Sequence, residues 1–311
     1  MHQTNLLKGI SFIIIAELMF VSMAALIKLV SISVPNETIV FFRNFFVITI
    51  LLPWVLHKGF ANTIKTQCIH LHLLRSISGL GAMYCFFYAL AHISLAEASL
   101  LSMTAPFFMP IIAFFWLDET ILTKVIAAII IGFLGIALIL KPGFDNFSPV
   151  TLIALASGAL AAVAKTSVRR LSFTESVVSI VFYFAIFSTL ISAIPFGWNW
   201  HPISFNALIL LFILTVFGTI GQLLMTHAYT LASSSQLGTI SYIAVIFSGL
   251  YGWIFWHEVL ENWFFAGTGL IVIAALLISH SHDSDKKGLS VVNAQIEEIA
   301  IPQIDNIKQQ T

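Results

Sequence analysis

Three ionisable side chains, Glu17, Lys28 and Arg43, lie inside long apolar runs. An acid in such a place can hold a proton or a cation. A guanidinium, which always carries charge, can clamp a carboxylate or phosphate through its planar fork, or brace helix-terminal carbonyls. An ionised acid near the middle of a bilayer costs roughly 2.5–3.5 kcal/mol on insertion scales, so Glu17 is expected to face the protein interior. Two readings of it stand: a protonatable or cation-binding group lining a cavity, or a carboxyl hydrogen-bonded to a neighbouring helix. At roughly 1.5 Å per residue, Arg43 should differ from Glu17 in depth by about 10 Å, so a direct pair is not expected. Lys28 follows Glu17 by eleven residues, and eleven steps of about 100° return to nearly the same helix face. It either shares a pathway with Glu17 or snorkels to the headgroups, as does Lys165.

Weaker candidates are Tyr84 and Tyr88 in one run and Gln222, Thr226 and His227 in another. Gln222 and Thr226 share a helix face at i and i+4, and polar groups at bilayer depth must find partners. His227 reads as a packing residue. Ser102, Thr104, Ser241 and Tyr242 could line a cavity or sit at helix contacts. Glu119 and Glu258 close their helices, where capping or anchoring is the expected role.

The elements that must position these groups follow from composition. Of 311 residues, 59% are apolar and 9% charged, and the mean hydropathy is +0.99, far outside the range of a soluble domain. Equal numbers of basic and acidic residues, 14 each, give no field for nucleic acid. Cys68 and Cys85 form no metal or redox spacing and read as free thiols. A helix needs about 20 apolar residues to cross the hydrocarbon core. Runs of that kind are predicted near 9–31, 38–57, 74–92, 95–117, 122–140, 149–168, 177–196, 206–229, 235–256 and 262–280. Beyond Asp283 the composition turns polar, predicting a disordered or weakly helical tail.

Loop charge sets the expected orientation. With the N-terminus inside, ten basic residues fall on the inner side (Lys8, Lys58, Lys65, Arg75, Lys124, Arg169, Arg170, Lys286, Lys287, Lys308) and only Lys141 on the outer. Both termini are thus predicted to be cytoplasmic.

The halves repeat. Lys28 and Lys165 are 137 apart, Glu37 and Glu175 138, Glu119 and Glu258 139. Blocks 97–119 and 236–258 are the most alike, ending in Phe114-Phe115-Trp116-Leu117-Asp118-Glu119 and Trp253-Ile254-Phe255-Trp256-His257-Glu258. An odd number of spans per half makes the second half enter from the opposite face. The expected fold is therefore all-α and membrane-integral, about ten helices in two inverted five-helix repeats, 1–142 and 143–282, with a polar tail 283–311.

Ala96-Glu97-Ala98, Thr104-Ala105-Pro106, Leu117-Asp118-Glu119, and Gly132-Phe133-Leu134-Gly135 leading to Lys141-Pro142-Gly143 resemble, in order and spacing, the first repeat of the drug/metabolite transporter superfamily of the EamA type. The resemblance covers about 9–280. The second repeat departs from it: Val245 stands where Pro106 maps, and His257 where Asp118 does. Phe42-Arg43-Asn44, Pro53, Arg75 and Phe87-Tyr88-Ala89-Leu90 look like members that import S-adenosylmethionine or riboflavin. The resemblance implies a bacterial inner-membrane transporter working by alternating access, with S-adenosylmethionine or a similar metabolite as first choice of solute. Export of amino acids or drugs is the alternative within this class.

Together the residues and the resemblance give a candidate substrate-binding set of Glu17, Arg43, Asn44, Tyr84, Tyr88, Ser102, Gln222, Thr226 and Tyr242. No catalytic residue, metal ligand or cofactor is expected. The partners expected are a small solute and membrane lipid, with proton coupling as an option and a monomer or weak homodimer as the assembly. An intramembrane enzyme is the rival from another class. It lacks its motifs here: HExxH, GxSxG, paired intramembrane aspartates and a P-loop are all missing from the chain.

Overall fold

A computed structural model describes residues 2–58, 66, 68–117, 123–140, 148–171, 174–231, 240–260, 262–274 and 276–277. The predicted tail, Asp118, Glu119 and the Lys141-Pro142-Gly143 turn lie outside the described residues. Among the described residues eleven helices follow one another: α1 (His2–Val30), α2 (Asn36–Lys58), α3 (Ile69–His92), α4 (Leu95–Ser102), α5 (Ala105–Leu117), α6 (Thr123–Leu140), α7 (Pro149–Leu171), α8 (Val177–Trp198), α9 (Phe205–Leu231), α10 (Ile243–Trp256) and α11 (Asn262–Ala274). Six (α1, α2, α3, α7, α8 and α9) are long and apolar enough to cross a membrane; α4–α5, α6, α10 and α11 supply shorter apolar helices at the other four predicted positions.

Several boundaries are written locally. Ser94 caps α4 by accepting a hydrogen bond from the Glu97 amide at 3.2 Å, and Ser176 caps α8 by accepting from the Ser179 amide at 3.2 Å. Between α4 and α5 the helix breaks at Met103–Thr104. Pro106 has no N–H to offer the Ser102 carbonyl, so the α-helical ladder cannot run through. The second half breaks at the matching place, Ser241–Tyr242, 138 residues on, although Val245 follows rather than proline. Two short-range bonds shape this second break, from the Ala244 amide to the Ser241 carbonyl and from the Val245 amide to the Tyr242 carbonyl, both 3.0 Å. A tertiary bond joins the breaks: the Tyr242 hydroxyl donates to the Met103 carbonyl at 3.0 Å.

Packing follows the same inverted relationship. Helix α1 runs along α9, and its mate α7 runs along α3; α2 meets α9 as α8 meets α3; α1 touches α10 as α7 touches α4 and α5. At the shared centre, Phe107, Leu95, Leu100, Leu101 and Ile27 are fully buried. Leucine, isoleucine and phenylalanine on the outer faces, among them Ile246, Phe255 and Leu190, are exposed, as a bilayer requires.

One contact breaks the symmetry. Helix α1 packs on α3, but the corresponding pair, α7 and α9, has no comparable packing among the described residues. The α1–α3 contact lies at the end of the bundle where α1 finishes, α2 begins and α3 finishes. There Asn36 donates to the Tyr84 carbonyl at 3.0 Å and Lys28 to the Ile93 carbonyl at 2.6 Å. This end is sealed by those polar ties, whereas at the opposite end the described residues show Thr66 donating to Glu175 Oε1 at 2.6 Å without a comparable α7–α9 packing.

Candidate functional site

The intramembrane charges converge between the halves. Arg43 on α2 is 9% exposed, and its Nη1 donates to Asn44 Oδ1 at 3.1 Å. Asn44, fully buried, is anchored by donating to the Val40 carbonyl at 2.9 Å, with Met83 Sδ at 3.6 Å. Asn44 thereby fixes the arginine fork.

Opposite Arg43 stands Arg75 of α3, close enough for the two positive charges to repel. The Arg75 guanidinium lies 4.0 Å from the centre of the Phe184 ring, which covers its face and leaves its N–H edge for other partners. Both arginines line a narrow cleft with Thr219, Gln222, Val47, Leu51 and Phe184, contributed by α2, α3, α8 and α9.

Lys165 of α7 continues the chain of charge, interacting with both Arg75 and Glu17. Its side chain is exposed. Glu17, 5% exposed, also hydrogen-bonds the side chain of Ser241 at the second helix break. Residues from α1, α2, α3 and α7 thus form one line of ionic groups, which Ser241 of the break before α10 meets at Glu17. Such a line can hold charged ends of a solute or pass a proton.

Some expectations need correction. Lys28 does not snorkel: its Nζ pairs with Glu258 Oε1 at 2.9 Å, both side chains being 14% exposed. Lys165 is exposed and interacts with Glu17 and Arg75. Arg75, counted among the inner-loop charges, sits inside α3, because that helix begins at Ile69 rather than near residue 74. Nor does Lys28 share a site with Glu17, since the pair with Glu258 belongs to the sealed end.

The remaining candidates are scattered. Gln222 lines the cleft. The Tyr84 hydroxyl is buried without a hydrogen-bond partner. Tyr88 lies off the cleft, exposed and stacked on His92 with ring centroids 4.2 Å apart. The Ser102 hydroxyl donates to the Ser99 carbonyl at 2.8 Å, and Tyr242 is engaged at the helix breaks. The side chain of Thr226 lies outside the described residues. His227 packs edge-on against Phe12 at 5.1 Å.

Arg75 of the cleft and Lys165 beside Glu17 were not in the candidate set. For Lys165 a signal was present, since it is the repeat mate of Lys28. No group of three metal-ligating side chains occurs among the described residues.

Known proteins share this plan. The model of the EamA-like transporter family matches residues 7–141 and 149–280. The pseudopaline exporter CntI of Pseudomonas aeruginosa is 34% identical over 91% of this chain and 99% of its own. An S-adenosylmethionine uptake transporter of Rickettsia bellii is 29% identical over 81% of this chain and 85% of its own. A riboflavin transporter of Brucella anthropi is 24% identical, covering 79% and 88%. One crystal structure superposes with a TM-score of 0.60 at 18% identity, over 88% of this chain and 97% of that one, which bears on the fold alone. With a family model matched over nearly the whole chain, this protein is a multi-pass membrane protein of the EamA-like transporter family, whose named relatives move small molecules rather than transform them.

Proposed function

We propose that this protein is a secondary transporter that carries an organic metabolite out of the bacterial cytoplasm by alternating access. The observation that carries the reading is the line of charge from Arg43 through Arg75 and Lys165 to Glu17, its two ends buried, set where the halves meet. Buried charges in a membrane are costly and are kept where a pathway uses them. Repeats 1–142 and 143–282 are the moving bodies. Among the described residues, α1 packs on α3 at one end without a comparable α7–α9 packing at the other, as a carrier with one-sided access would. By the distribution of Lys and Arg, the sealed end faces outward and both termini lie in the cytoplasm. Export is preferred because the 34% identical relative is an exporter matched along its whole length.

A second reading is uptake of S-adenosylmethionine, favoured by the Rickettsia relatives and by Glu17, an acid that could face the sulfonium. The three cations along the same line weigh against a solute with a net positive charge. Movement of a radiolabelled metabolite panel by purified protein in liposomes, with and without a proton gradient, tests both. Saturable movement of one solute supports the carrier. If a folded, correctly inserted protein moves nothing across the panel in either direction, the carrier reading fails.

A further inference from the structure

Buried arginines in membrane proteins ordinarily face an acid, because the cost of dehydrating a guanidinium is offset by a carboxylate at hydrogen-bonding distance. Here two of them share one cleft. Among the described residues the ion pairs are Lys28–Glu258 and His72–Glu175, and no carboxylate pairs with Arg43 or Arg75. The Nε atoms of both arginines are buried without a hydrogen-bond partner. Asn44, the one side chain bonded to Arg43 in this way, is neutral and supplies a single acceptor. Lys165 adds a third cation, and Glu17 is the acid it meets. Three cations against one acid leave a formal excess of two positive charges along the line.

We propose that the cleft between Arg43 and Arg75 is an anion site, and that the transported solute carries at least two carboxylates. The inference rests on the carrier reading above and names the class of solute. A planar carboxylate matches the guanidinium fork through two parallel N–H···O bonds, which a point cation cannot reproduce. Phe184 holds the face of the Arg75 guanidinium and turns its edge toward such a partner. Asn44 does the equivalent for Arg43 from within its own helix. Two carboxylates match the excess charge, and an amine on the same solute, which would return one positive charge, would find Glu17. The free space in the cleft is small in this conformation. Entry of a carboxylate therefore requires α2 and α3 to part from α8 and α9, so solute binding is coupled to the motion of the halves.

The test uses the full-length protein in lipid nanodiscs and reads its thermal unfolding midpoint and equilibrium binding with three probes. These are iminodiacetate, the smallest compound joining two carboxylates to an amine, its diamide, and inorganic phosphate. The expected result is stabilisation by iminodiacetate and none by the diamide. Arg43→Lys and Arg75→Lys, which keep charge but lose the fork, should weaken binding about tenfold or more, the scale of a lost charged hydrogen bond. Stabilisation by phosphate equal to that by iminodiacetate would overturn the carboxylate assignment, as would stabilisation by the diamide. Absence of any shift in the wild-type protein overturns it as well, with no dependence on how a variant folds. A protein that carries some other solute in liposomes while ignoring iminodiacetate leaves the carrier reading intact and sinks only this inference.

Discussion

Lys28 Nζ lies 2.9 Å from Glu258 Oε1, and Glu258 Oε2 accepts from the Leu95 amide at 3.0 Å, so one carboxylate ties the end of α1 to the start of α4. The chain returns to make this tie through His257, whose φ of 53° is the one left-handed non-glycine backbone among the described residues. Lys28 also donates to the Ile93 carbonyl and sits 5.8 Å from the Trp256 ring centre.

Breaking this tie should shift the carrier toward the state open at the sealed end. Glu258→Gln removes the charge while keeping the shape, and a lost charged hydrogen bond is worth about 1.5–3 kcal/mol, roughly tenfold or more in the equilibrium. In a background with Cys68 and Cys85 replaced, a cysteine at Ser22, whose hydroxyl lies 3.2 Å from that of Tyr251, should react faster with a membrane-impermeant thiol reagent. Unchanged labelling would mean that the tie does not govern access.

Glu17→Gln should lower transport while leaving folded protein in the membrane. Two groups face the carboxyl, Lys165 from α7 and Ser241 from the second helix break. If Glu17 carries the coupling proton, wild-type flux rises with an imposed proton gradient and the variant's flux is insensitive to it. Identical kinetics across pH in the wild-type protein would remove proton coupling from the mechanism.

Asn44→Leu keeps volume near Arg43 and deletes its acceptor. The guanidinium then loses its fixed orientation, and apparent affinity should fall by about tenfold, the cost of one hydrogen bond to a charged group. Maximal rate should change less. A variant with lost rate and unaltered affinity would assign Asn44 to the motion rather than to binding.

What the sequence disclosed and what it hid have separate physical origins. Helix number and the inverted plan were legible because a bilayer forces long apolar runs, and the offsets of 137 to 139 residues recur as paired helix breaks at 103–104 and 241–242. The site was half legible. Glu17 and Arg43 stood out as charges deep inside apolar runs. Arg75 did not, because the third predicted run starts only near residue 74 and puts Arg75 with the inner-side charges at its edge; the helix begins at Ile69, and His72 is buried, its ring 4.4 Å from that of Tyr183. Tyr242 carried an ambiguous signal, since a buried hydroxyl can serve a solute or a carbonyl, and only the fold shows the Met103 carbonyl beside it.

Tyr242→Phe distinguishes those two uses. Loss of the hydroxyl removes one buried hydrogen bond, with a net effect of about 0.5–1.5 kcal/mol on stability. The unfolding midpoint should drop slightly and solute affinity stay unchanged. A large loss of affinity with normal stability would return Tyr242 to the solute site.

Gly158 brings α7 against the first helix break. A Cβ built there would lie 2.8 Å from the Leu101 carbonyl oxygen and press on the Thr104 hydroxyl, and the carbonyl belongs to backbone that cannot swing aside. Overpacking of this kind costs about 1–3 kcal/mol. Gly158→Ala should therefore lower the unfolding midpoint, and it should slow transport if the break must flex against α7 as the halves exchange. Gly197, with nothing near its Cβ position, is the control: Gly197→Ala should leave both measurements where they were. Equal effects at the two positions would mean that the contact between α7 and the break adds no penalty of its own.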